Sequence, residues 1–365
     1  MVKRGILQPA ASPRSNQVLI PTCTDYSITG GASIEFSGRV AAAIAPVCEQ
    51  ARGRDLHMML DDGSAWQKVV CVHLPATALL AWLLVIAAVE WLATAPSYFT
   101  GSGFPYISDV GRDGVNYWIF SIGGTLATCP LLAQLAWLGP AYATRLQHEA
   151  EAAADAEAAD ALASVATTWK ASCAMSSLAC VFLILLACLS TSAFPAAHDY
   201  SAYAFFLLMG TALPIFTRGS ETIARLLPEA APPSSVALKR GLCASFLAAA
   251  VLYLPVGLSI VCSWDRVPLA ACRTWASTAF ADALEGDAYC EAKVLPSSDD
   301  ACREPPCVAL WDYSGCPASN VMRAVTQLLC VLCLIGFQST FVFENRWLLF
   351  RDADGSSRFV AAAWP

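Results

Sequence analysis

Six long apolar runs constrain this chain more than any other feature: 69–93, 115–138, 172–194, 200–216, 242–262 and 321–343. At about 1.5 Å per helical residue, runs of this length cross a hydrocarbon core of about 30 Å. Lipid offers the backbone no hydrogen-bonding partner, so each run is expected to be a helix, and the runs to pack as one bundle. Pro75, Pro130, Pro214 and Pro255 fall within or near the ends of the runs and read as membrane-helix kinks, while the small residues of 171–174 and 176–179 allow close helix approach. Composition agrees: 56% of residues are hydrophobic and 14% are charged, against roughly 25% charged in soluble domains. The expected fold class is all-α, a polytopic six-transmembrane-helix bundle with a cysteine-rich outer loop.

Basic residues near span ends set orientation, because Lys and Arg stay on the cytosolic side. With a cytosolic N-terminus, the inner segments hold Arg52, Arg54, Lys68, Arg145, Lys170, Arg218, Arg225, Lys239, Arg240, Arg346, Arg351 and Arg358, and the two short outer loops hold only Arg112. Both termini are therefore expected in the cytosol. The organisation follows: 1–68 is a cytosolic extension without a signal-peptide pattern, 69–343 is the six-span domain and 344–365 is a cytosolic tail.

Of sixteen cysteines, Cys262, Cys272, Cys290, Cys302, Cys307 and Cys316 lie at the start of or within the outer loop 263–319. Disulfides persist in oxidising compartments, and six cysteines allow 15 pairings. Zinc is the poorer reading, since the loop has no His and no Cys-x-x-Cys; no metal or cofactor is expected. Between the second and third runs, Glu149, Glu151, Asp155, Glu157 and Asp160 punctuate an alanine-rich stretch with strong helix propensity, which predicts a helical cytosolic hairpin.

Ionisable groups inside spans usually mark function, and the runs hold few: His73, Glu90 and Arg323, all placed near interfaces. Phosphate-binding loops, zinc-protease motifs and nucleophile elbows are absent, and Cys330-x-x-Cys333 reads as helix packing. Polar groups gather instead at the outer face: Glu90, Tyr106, Ser108, Asp109, Asp113, His198 and Asp199. His198 beside a carboxylate has the chemistry of a general base or a headgroup ligand, and equally that of a structural cap.

The segment Pro105-Tyr106-Ile107-Ser108-Asp109 with Gly111 follows the first run, Tyr142 and Arg145 follow the second, and His198 with Ala202, Phe205, Phe206 and Gly210 enters the fourth. In these residues, from about 74 to 343, the chain resembles the damage-regulated autophagy modulator (DRAM) family, a six-span domain also found at the start of CWH-type proteins that remodel glycosylphosphatidylinositol (GPI) lipids. The resemblance implies a multi-pass protein of the plasma membrane, Golgi, endosome or lysosome/vacuole that influences trafficking, autophagy or lipid organisation, and it carries over no catalytic residue. The expected function is a non-enzymatic membrane regulator whose partners are membrane lipids and membrane or trafficking proteins, without nucleic acid. Two alternatives stay open: a GPI-anchor lipid-remodelling factor with an interfacial site at His198, Asp109 and Glu90, and a small-molecule or lipid transporter.

Overall fold

The computed structural model describes residues 65–92, 104, 106–112, 114–191, 193–260, 265–280, 282–295 and 301–350. Helix α1 spans Ala65–Leu92, and a single turn, α2, covers Ile107–Val110. A long rod then runs through α3 (Gly114–Ala133), a π-helical segment (Gln134–Leu138) and α4 (Gly139–Ala152). Helices α5 (Ala156–Cys188) and α6 (Pro195–Leu226) follow. Next, α7 (Pro233–Val251) passes through a second π segment (Leu252–Val256) into the short α8 (Gly257–Ile260). The segment before the last span contributes α9 (Leu269–Ala279) and α10 (Ala283–Glu291), and the chain then enters α11 (Pro317–Thr340) and α12 (Val342–Phe350).

Five of these helical rods are long and apolar enough to cross a membrane: Gly114–Ala152, Ala156–Cys188, Pro195–Leu226, Pro233–Ser259 and Pro317–Leu348. The sixth expected span is α1, a helix whose described apolar stretch, His73–Ala88, is shorter than a full crossing. An all-α polytopic membrane fold is thus what these residues make. Two of the four prolines stand at or close to a helix irregularity: Pro255 lies inside a π segment, where the missing N–H is absorbed by widening the helix, and Pro130 precedes the other, whereas Pro75 and Pro214 lie within continuous α-helices.

At 39 residues the second rod is roughly 58 Å long, about twice the hydrocarbon thickness. Its far end is α4, joined to α5 by the tight turn at Ala153–Asp155. Asp155 caps α5 by accepting from the N–H groups of Glu157 and Ala158, both at 3.3 Å. Lys170 Nζ donates to Gln147 Oε1 at 3.0 Å across the pair. The predicted helical hairpin is therefore made by extending two spans rather than by inserting a separate element.

The segment before the last span folds on its own small core. Strand β1 (Asp265–Pro268) pairs antiparallel with β2 (Cys307–Asp312), with α9 and α10 between them. Val267, Leu269, Ala276, Val308 and Leu310 bury against one another, and the Arg266 guanidinium sits 3.5 Å over the Trp311 ring. Disulfides join Cys272 to Cys290 and Cys302 to Cys307. Cys316 is also disulfide-bonded, and Cys262 lies outside the described residues.

The bundle core is continuous across the spans. Trp169 of α5 anchors it, with ring centroids 4.9 Å from Tyr142, 4.9 Å from Phe216 and 5.8 Å from Phe341.

Candidate functional site

Residues Tyr106–Gly111 form a hydrogen-bonded turn in which the Tyr106 carbonyl accepts from the N–H of Asp109 at 3.0 Å. Spacing of three in a helical turn puts Tyr106 and Asp109 on one face, and that face turns inward: they are 5% and 4% exposed. The sequence reading places them at a polar outer surface; the structure instead buries them against the last span. Pro105 and Asp113 lie outside the described residues.

The counterpart is a polar face on α11. Asn320, Arg323 and Gln327 follow one another at helical spacing and are all buried. Tyr106 Oη donates to Asn320 Oδ1 at 3.2 Å, and Ile107 N–H donates to Gln327 Oε1 at 3.0 Å. Gln327 Nε2 donates in turn to Tyr253 Oη at 3.3 Å, tying the motif turn to the π segment after α7. Tyr313 Oη donates to Asp109 Oδ2 at 3.3 Å. Burial first, and then the Asp109 carboxylate, pushes the Tyr313 phenol well above its ordinary value, so it remains a donor.

Arg323 lies at the middle of this network. Its guanidinium carbon sits 5.7 Å from the Tyr106 ring centroid and 5.4 Å from that of Tyr253, and Nε donates to the Tyr253 carbonyl at 3.3 Å. Gly257 permits the approach: a Cβ there would lie 2.7 Å from Arg323 Cγ.

Asp199 follows His198 in the first turns of α6. His198 itself is buried, with Nδ1 2.6 Å from the Leu189 carbonyl, an interaction that ties the start of α6 to the end of α5. No hydrogen bond or ion pair joins His198 to Asp109 among the described residues. Glu90 belongs to the last turns of α1, and its side chain lies outside the described residues.

Beneath the turn lies a small apolar concavity of about 50 Å³. Ile107, Ser108 and Gln327 form its polar end, and Leu79, Trp82, Phe120, Leu183, Leu186, Phe205, Phe206, Val331, Leu334 and Ile335 its apolar wall. Gly111 explains part of the motif: a Cβ there would fall 2.2 Å from Phe120 Cγ, a wall residue. Gly111→Ala must push that ring aside and is expected to cost about 1–3 kcal/mol. Thermal melting in detergent checks this against Gly241→Ala, where nothing lies within 4 Å and helix propensity favours Ala.

The model of the Frag1/DRAM/Sfk1/Cwh43P N-terminal domain matches residues 68–346, about three quarters of the chain. The chain belongs to this family. No curated protein and no solved structure matches it significantly. In this Frag1/DRAM-family member, the matched region takes in the motif turn, the α11 polar face and the disulfide-bonded segment between them.

Sequence reasoning missed Asn320, Gln327, Tyr253 and Tyr313, and gave Arg323 only an interfacial place. The signal available was the polar spacing 320, 323, 327 in an apolar helix. It also read Lys239 as a flanking charge and assigned Glu344 to the tail. In the structure both lie within rods that qualify as spans, are at most 1% exposed, and form an ion pair. Ser220 Oγ donates to the same Glu344 oxygen at 3.3 Å.

Proposed function

We propose that this membrane protein is a non-enzymatic regulator of trafficking, autophagy or lipid organisation that holds the acyl chain of a membrane lipid beneath the Tyr106–Asp109 turn. The observation that carries the reading is the small apolar concavity walled by five helices, α1, α3, α5, α6 and α11, with the polar side chains of Ser108 and Gln327 in its lining. An acyl chain matches such an apolar wall, and Ser108 and Gln327 in the lining offer polar groups to a headgroup.

A photoreactive, clickable phospholipid incorporated into membranes with the full chain tests this. Crosslinks are expected on Val331 and Leu334 and are expected to be lost in Leu334→Trp, which fills the cavity. Labelling confined to outward residues such as Leu207, unchanged in the variant, would refute it. Lipid mass spectrometry of cells distinguishes the alternative: a GPI-anchor fatty-acid exchange that disappears without the protein, and returns with the intact chain but not with folded His198→Ala, would make it a remodelling factor.

The proposed location is the endomembrane system or plasma membrane, with both termini cytosolic. The disulfides of the segment before the last span support placing that segment in the lumen or outside the cell. Protease protection of tags at either end checks the orientation.

A further inference from the structure

A second polar site lies far from the motif turn: along the last span, Asn320 and Glu344 are separated by roughly 36 Å at 1.5 Å per residue. There Tyr142, Glu344, Asn345 and Gln134 line a small cavity together with the rings of Trp169 and Phe216. Glu344 Oε1 is engaged by Lys239 and Ser220. Three other atoms of the lining are buried without a hydrogen-bond partner: Tyr142 Oη, Glu344 Oε2 and Asn345 Nδ2. Their side chains are all at least nine-tenths buried.

Buried polar groups are hydrogen-bonded in the great majority of cases, and internal waters serve those that protein atoms do not. The cavity has room for about one water molecule. Water also has the matching valence: it can donate to Glu344 Oε2 and accept from the Tyr142 hydroxyl and the Asn345 amide. A cation matches less well, because Lys239 already neutralises Glu344 and the Asn345 group is a donor. We propose that this cavity is a binding site for one water molecule that bridges Tyr142, Glu344 and Asn345. The bridge joins α4 to α12 and completes a polar lock around the Lys239–Glu344 pair.

X-ray radiolysis of the full chain in detergent tests this, because water activated in place labels a buried side chain beside it. Tyr142 is 1% exposed, yet its labelling is expected to be comparable with that of exposed Tyr200. Tyr142→Phe is further expected to lower the melting temperature by roughly 2–4 °C, since it removes a satisfied hydrogen bond. A Tyr142 as unreactive as buried Tyr253 overturns the proposal. So does a melting temperature that stays or rises in Tyr142→Phe, the result expected when a partnerless buried hydroxyl is removed.

Discussion

Lys239→Met is expected to be the most damaging single substitution, costing about 3–5 kcal/mol because it leaves the buried Glu344 carboxylate without its countercharge. Net stabilities of folded domains are about 5–15 kcal/mol, so the variant should be lost from the monodisperse peak in size-exclusion chromatography. Lys239 comes from α7 and Glu344 from α12, and the pair fastens the end of the last span to its neighbour. Phe341 lies beside it, its ring centroid 5.1 Å from the ammonium. Removing both charges together, as Lys239→Met with Glu344→Leu, should recover most of the yield, because similar apolar volume replaces the pair without leaving a lone charge. A single variant that purifies and melts like the parent would show that the pair does not hold the helices together.

Arg323→Leu should be the second most damaging change. It removes two cation–π contacts and a charged donor to the Tyr253 carbonyl, an expected loss of about 2–4 kcal/mol. The loss falls on the joint between the motif turn, α11 and the π segment, so thermal melting should shift together with the protection of the Tyr106–Asp109 amides from hydrogen exchange. Arg323→Lys should not restore it: an ammonium lacks the planar fork that lies between the two rings while donating to a carbonyl. Unchanged exchange at the motif turn in Arg323→Leu would break the link between the arginine and the turn.

How much of this could be read in advance depended on the range of the interaction. Burial in lipid demands a continuous apolar run, a local property of the chain, so each expected run lies mostly in a helix among the described residues, and Pro130 and Pro255 stand close to or in the two π segments. The acidic, alanine-rich stretch is helical through its residues' helix propensity, likewise a local property. Cysteines in the loop before the last span announced bridges, but pairing is a matter of three-dimensional proximity, and only the fold joins Cys272 to Cys290 and Cys302 to Cys307.

The site was less legible. Tyr106 and Asp109 stood out as a motif, yet nothing in their own neighbourhood says that they turn inward to meet Asn320 and Tyr313, more than two hundred residues away. Lys239 and Glu344 each look like a charge at a span boundary, and become a buried pair only when two helices meet. By itself, then, the sequence determined that this protein is a helical membrane bundle with a cysteine-rich segment before its last span, because hydropathy and helix propensity act over a few turns. The tertiary structure alone decided which polar residues share a site and which cavity they close, because a buried charge or hydroxyl is satisfied only by partners that folding brings from distant parts of the chain.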